Sequence, residues 1–363
     1  MAFKLFEKLF PKKFLGIDIG ISSIKLVEIS KWGGGRTLEN YGLIEAKALF
    51  KEKIRTFEET TLLVSPTYVS RAIKAVIKEA KIKTKAAIFS IPDFSTFFIT
   101  LELPPMEEKE ISEAVRYNAP QYLPLPISET TLDWRLVEGR PTLAEEGRTK
   151  LKILVIAIPN EIIAQYQMVA KMANLELYAL ESEVFGIVKS SIKEEEKEGV
   201  ICLIDLGAHS STVNIVDKGT LKKSYSLDFS SNNLTYVITK SLEVEYAQAE
   251  ILKKKYGLLP SKENIAEILY PFLDPFLGEV RNIFHDFRES EEKEVEKVLL
   301  VGGGAKLPGL KTYFSEVLKK EVEISNPFAD LFYPPVLGEI LRELGPVFAP
   351  AIGVALEELD RVD

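Results

Sequence analysis

Apolar residues fall along this chain in two patterns that take turns. Unbroken runs of Val, Ile and Leu closed by turn residues, at 15–17, 86–92, 151–159, 200–204 and 298–301, read as buried strands. Between them come stretches of helical period: 65–80 with Val69, Ile73, Val76 and Ile77 on one face, then 161–173. Later come 265–289, with Phe276, Val280, Ile283, Phe284 and Phe287, and also 310–318 and 346–359. The same reasoning predicts strands over 36–49, 97–103, 131–137, 221–229 and 322–324. It predicts helices over 109–122, with Ile111, Ala114, Val115 and Asn118 at helical spacing, and over 234–256. Prolines between Pro120 and Pro126 stop the 109–122 helix. Strands alternating with helices predict an α/β fold, and 363 residues suit two domains with a cleft between them.

The polar residues at the strand ends carry the chemistry. Asp18-Ile19-Gly20-Ile21-Ser22-Ser23 joins two apolar strands, and 187 places later Asp205-Leu206-Gly207-Ala208-His209-Ser210 follows a second one. A glycine at such a bend lets backbone N–H groups converge without a Cβ in the way. Converging donors of this kind suit a phosphate chain. Asp18 could hold Mg²⁺ through water, Ser22 and Ser23 could donate hydroxyls, and Lys25 could neutralise a phosphate oxygen. Repetition at this distance implies two related halves rather than a solenoid. A third cluster, Gly302, Gly303 and Gly304, follows the strand at 298–301 and leads into a helix. Its spacing is neither that of a P-loop nor Gly-x-Gly-x-x-Gly.

Composition narrows the classes. A formal charge of −8 argues against a generic nucleic-acid binder. One cysteine, Cys202 inside a strand, permits no disulfide framework and fits a reducing compartment. With only His209 and His285 besides, a structural zinc site is not expected. No apolar run reaches the roughly 18–20 residues of a membrane span. Residues 1–13 form a basic amphipathic tail in which Phe3, Phe6 and Phe10 alternate with Lys4, Lys8, Lys12 and Lys13. It reads either as a segment touching a membrane surface or partner or as a terminus packed on its own domain.

Two Asp-x-Gly hairpins followed by a late strand and Gly-Gly-Gly occur in the order of the actin-like (ribonuclease H-like) two-domain fold. Within it the chain resembles the PilM family of type IV pilus assembly proteins, relatives of the division protein FtsA. The resemblance is carried by residues 16–28, 103–126 (Leu103-Pro104-Pro105-Met106 through Pro126), 205–212, 302–309 and 325–328. It implies domain 1 over 14–93 and 151–192, completed by 346–363, and an FtsA-like inserted subdomain 1C over 94–150. Domain 2 then spans 193–345. It further implies ATP and Mg²⁺ as cofactors, with Asp18 and Asp205 holding the metal through water. Gly20, Ser22, Ser23, Lys25, Gly207, His209, Ser210 and Ser211 would contact phosphates, and Gly302, Gly303 and Gly304 would lie against the nucleoside.

Glu183 is the candidate catalytic carboxylate. Its other reading is a helix N-terminal glutamate favoured by the dipole. Glu250 and Lys253 are candidates for the ribose and adenine; otherwise they make a surface ion pair worth a few tenths of a kcal/mol. Phosphoryl transfer to water needs a positioned nucleophile, and only Glu183 offers itself, so slow or negligible ATPase activity is expected. The resemblance implies a cytoplasmic scaffold, peripheral at the inner face of the membrane. It would bind the N-terminal peptide of a PilN-like single-span protein through Arg116, Tyr117 and Tyr122. Other pilus inner-membrane components and a homo-oligomer are further partners it allows, without nucleic acid. An FtsA-like polymerising ATPase, a metabolite kinase of the same fold and a type II secretion homologue are the alternatives.

Overall fold

In the computed structural model, which describes residues 12–48, 56–57, 62–139, 141 and 150–362, the two halves are visible as two sheets of one design. Strands β1 (Lys12–Ile19), β2 (Ser23–Trp32), β3 (Gly35–Glu45), β4 (Ala86–Ile91) and β8 (Glu176–Ser182) form a sheet of order β3-β2-β1-β4-β8. Strands β9 (Val200–Leu206), β10 (Ser211–Asp217), β11 (Thr220–Leu227), β12 (Lys297–Val301) and β13 (Glu321–Ile324) repeat it as β11-β10-β9-β12-β13. Registers repeat too: Asp18 pairs with Lys25 across the first hairpin, and Asp205 with Thr212 across the second. Most of the amphipathic tail lies outside the described residues.

Helices α1 (Pro66–Glu79) and α3 (Asn160–Ala173) cover one face of the first sheet, burying Val69, Ile73, Tyr166 and Val169 against Leu15, Ile17 and Phe89. Its other face meets α9 (Gly338–Arg361) through Phe348, Ala351, Ile352 and Ala355. The second sheet packs on α5 (Ser231–Leu242), α7 (Ile265–Glu291) and α8 (Leu310–Leu318). Between the domains α9 crosses α4 (Glu183–Ser191). A Cβ on Gly353 would stand 1.7 Å from the Gly186 carbonyl oxygen, so the crossing requires glycine there.

Three expectations need correction. The run at 151–159, expected in domain 1, does not join that domain's sheet. As β7 (Leu151–Pro159) it is the middle strand of a separate sheet, between β5 (Phe97–Leu103) and β6 (Thr130–Glu138). Alternate side chains explain why it is apolar throughout. Leu151, Ile153 and Val155 pack with Ile111 and Val115 of α2 (Glu108–Asn118), whereas Leu154 and Ile156 face α4 and the second domain's Ile201 and Leu203. The stretch 234–256 is two helices, α5 and α6 (Tyr246–Tyr256), broken where Glu243 adopts φ 53. Such a break at a non-glycine residue has no sequence signal. Finally, α9 begins eight residues before the expected start at Pro346 and holds Pro346 and Pro350 inside it. The Pro346 carbonyl accepts from Gly302 N–H at 2.9 Å.

Candidate functional site

Each hairpin turn is fixed by its carbonyls and leaves its amides free. In the first, Gly20 N–H donates to Ser23 O at 3.0 Å. Thr56 bonds Gly20 O through Oγ1 and Ile21 O through its N–H, both at 2.8 Å, and Ala46 N–H bonds Ser22 O at 2.8 Å. In the second, Gly207 N–H donates to Ser210 O at 3.1 Å, and the first residues of α5 hold the turn from outside: Ser231 N–H on Gly207 O and Asn232 N–H on Ala208 O. The N–H groups of Ile21, Ser22, Ala208 and His209 donate to nothing among the described residues. Unpaired amides of this kind, present in matching sets on the two turns, suit an anion. Ser22 and His209 are exposed at the turn tips, and Ser23 is buried. Ser211 Oγ is buried without a partner among the described residues.

Beneath the turns lies a cluster of carboxylates. Asp18 is buried, accepts from Ser90 Oγ at 2.8 Å and pairs with Lys25 Nζ at 2.7 Å. The second hairpin puts Thr212 where the first has Lys25, so Asp205 has no cation across the strand. Its carboxylate also accepts no hydrogen bond from the described residues. Burial and then the charge of Asp93 push Asp205 up to about 7, against relief from Lys25, with Asp18 adding to the push. Asp93 itself is pushed up to about 6 by burial, although Ser182 Oγ at 2.9 Å and Val184 N–H at 3.2 Å donate to it.

Glu183, at the start of α4, is held well above the ordinary carboxylate range by burial and by Asp18, Asp205 and Asp93. The helix dipole, worth about 0.3–1 kcal/mol, therefore loses to its neighbours, since even a tenfold change in proton affinity is worth about 1.4 kcal/mol. Among the described residues no three Asp, Glu, His or Cys side chains converge to ligate a metal directly. The donor set fits a divalent cation held through water, beside a polyanion on the amides.

The other candidates divide. Glu250 is half-buried, accepts from Thr235 Oγ1 at 2.6 Å and pairs with Lys254 at 3.2 Å. Lys253 is no surface ion-pair partner: it is buried, bonds Glu250 at 2.7 Å, and donates to Ser231 O, Ser231 Oγ and Thr235 Oγ1 at 2.8, 2.9 and 2.6 Å. It anchors the first turn of α5, and through it the Gly207 turn. Among the three glycines, only Gly303 faces open space. A Cβ on Gly302 would meet Asp205 Oδ1 at 2.2 Å, and one on Gly304 would meet Leu206 Cβ at 2.8 Å. Those two are glycine because they pack on β9.

Sequence reasoning missed Ser90, Asp93 and Tyr166. Ser90 and Asp93 stand at the end of β4, which runs parallel to β1, so its C-terminal end must open on the same cleft. The Ile91-Pro92-Asp93 strand ending was the available signal. The Tyr166 hydroxyl is buried without a partner among the described residues and feels Asp18 and Glu183.

The model for type IV pilus assembly protein PilM matches residues 16–359. This chain belongs to that family. A chain of a PilM–PilN type IV pilus biogenesis complex superposes with a TM-score of 0.81 at 26% identity, covering 95% of this chain and 98% of that one. FtsA of Staphylococcus epidermidis (strain ATCC 35984) is 22% identical over 354 residues, 86% of this chain and 74% of its own. MreB 5 of Spiroplasma citri, solved with AMPPNP, shares the fold with a TM-score of 0.57 at 12% identity, covering 97% of each chain. The PilM-family chain is thus an actin-like type IV pilus assembly protein. Among its described residues no helix is long and apolar enough to cross a membrane.

This PilM-family chain presents its third candidate set away from the cleft. Ile111, Val115 and Ala119 form the core of the inserted sheet, while Arg116 is exposed and Tyr117 and Tyr122 are 87% and 59% exposed. Tyr117 and Tyr122 are therefore not part of that core.

Proposed function

We propose that this protein binds ATP with Mg²⁺ between its two hairpin turns and serves as a cytoplasmic scaffold for the N-terminal peptide of a PilN-like membrane protein. The observation that carries the nucleotide reading is the duplicated turn, with free amides on both copies above one carboxylate cluster. The amides of Ile21, Ser22, Ala208 and His209 bind phosphate oxygens, with the hydroxyls of Ser22, Ser210 and Ser211 beside them. Asp205 and Asp18 orient waters around Mg²⁺, which supplies charge neutralisation. Gly303 leaves room for the nucleoside, and Glu250 borders it. Glu183 is the carboxylate proposed to position an attacking water, and turnover is expected to be slow or negligible. Calorimetric titration of Mg-ATP into Asp205→Asn tests the site: unchanged affinity removes the assignment. Asp18→Ala is a poorer test, because it strands Lys25 as a buried unpaired charge, which costs about 3–5 kcal/mol.

The peptide reading rests on Arg116, Tyr117 and Tyr122 standing out from the insert, since exposed aromatics and arginines dominate binding energy. Deleting the insert cannot test it: without β5, α2 and β6, β7 would lose both sheet partners and expose the face that packs on α2. Arg116→Ala and Tyr117→Ala are each expected to weaken a fluorescently labelled cognate peptide by about 1–2 kcal/mol. Full affinity in both places the partner elsewhere.

A further inference from the structure

The edge of the first domain opposite the cleft carries aromatic and basic groups that the proposed function leaves unused. β1, β4 and β8 run parallel, so the ends bearing Asp18, Asp93 and Glu183 open on the cleft while their N-terminal ends share the far edge. There the β2–β3 hairpin turns at Gly33 and Gly34 and holds Trp32, 73% exposed, at its tip. Phe332, 67% exposed, stands beside it: its N–H bonds Arg36 O at 2.8 Å, its carbonyl takes Leu38 N–H at 3.0 Å, and its ring lies next to Gly35.

One strand away across β1, about 10 Å, α1 descends to the same edge and the chain turns into β4. Residues 71–85 bear Arg71, Lys74, Lys78, Lys81, Lys83 and Lys85 against one acid, Glu79, all exposed. None of these six cations has an ion pair among the described residues. Lys81 and Lys83 share a concavity of about 430 Å³ with Lys13, Glu28 and Glu39, where Glu39 is taken up by Lys13 at 2.7 Å and Glu28 is buried. Lys12, at the start of β1, stands at the same edge, paired in register with Lys31 of β2.

A chain of formal charge −8 has here gathered uncompensated cations around two solvent-facing aromatic rings. Lysines alone would serve any polyanion. A projecting Trp and Phe flanked by lysines fit the headgroup layer of an anionic bilayer, where aromatic rings sit at the interface and cations meet anionic lipid. We propose that this edge docks directly on an anionic lipid surface, with Trp32 and Phe332 at headgroup depth and the nucleotide cleft opening away from the membrane. The proposal rests on the membrane-peripheral placement in the reading above, and adds a lipid contact that needs no partner protein.

The full chain is sedimented with vesicles of phosphatidylcholine containing about 30% phosphatidylglycerol, and with pure phosphatidylcholine, at low and high salt. Trp134→Phe makes Trp32 the sole tryptophan, because the chain has only two. The expected result is salt-sensitive binding to the anionic vesicles alone, with a blue shift of Trp32 emission. The triple variant Lys81→Glu/Lys83→Glu/Lys85→Glu and the single Trp32→Ala should each reduce binding about tenfold or more. Absence of binding to anionic vesicles overturns the proposal. So does binding that both variants retain, including binding lost only when residues 1–11 are deleted, and so does a duplex oligonucleotide bound more tightly than the vesicles. Mg-ATP and peptide affinities, measured on the same variants, should stay at wild-type values, so failure here leaves the nucleotide and peptide readings standing on their own tests.

Discussion

Asp205→Asn should make the ligand-free protein more stable while removing its metal site. The carboxylate lines the cleft beneath the Gly207 turn with no cross-strand cation, and burial and Asp93 raise it from an ordinary 3.8 to about 7. At about 1.4 kcal/mol for each tenfold change in proton affinity, a rise of that size has a ceiling of about 4 kcal/mol. Discounted for the water that enters an open cleft, about 1–2 kcal/mol remains. The sign follows from linkage: between pH 4 and 7 the folded protein holds a proton that the unfolded chain has released. Wild-type stability therefore falls as pH rises through this window. Asparagine keeps the shape and has no charge to neutralise. Its midpoint of thermal unfolding should exceed that of the wild type by about 2–4 °C at pH 8, and the gap should close by about pH 4. Saturating Mg-ATP should raise the wild-type midpoint and leave the variant's unmoved. Scanning fluorimetry across pH checks all of this. A variant less stable than wild type at pH 8, or a gap independent of pH, refutes the electrostatic reasoning.

Gly353→Ala, which ordinary helix propensity would favour by up to about 1 kcal/mol, should instead destabilise by about 3 kcal/mol or more, because the new methyl meets the Gly186 carbonyl; an unchanged melting midpoint contradicts this. Gly303→Ala should leave stability within about 0.5 kcal/mol but weaken ATP about tenfold by calorimetry. Gly302→Ala, at φ 80 and against Asp205, should lose stability; equal behaviour of the two means Gly303 does not border the ligand. Lys25→Ala should weaken ATP more than ADP if its ammonium turns from Asp18 to the terminal phosphates, and equal weakening moves it inward along the phosphate chain.

The hairpins, their repeat and the late glycine cluster were legible because they obey local rules: strands announce themselves by period, and a turn that frees amides needs Gly20 and Gly207. Which face of α2 is exposed was left open by the spacing, and packing of Ile111 and Val115 on the inserted sheet decides it. The sequence could not say where β7 belongs. A strand apolar on both faces is equally at home in any sheet buried on both sides, and only packing against α2 on one face and the second domain on the other decides it. Nor could it show that Lys253 is an anchor, or that Gly302 and Gly304 answer to β9 and Gly303 alone to open space. Those differences lie in which atoms stand opposite, across a long stretch of intervening chain in the case of Gly302 and Asp205. The raised carboxyls follow the same logic: Asp18 and Asp205 head the same motif, yet only tertiary structure gives one a lysine and the other a crowd of acids, Asp93 among them, from a strand end that no motif marked.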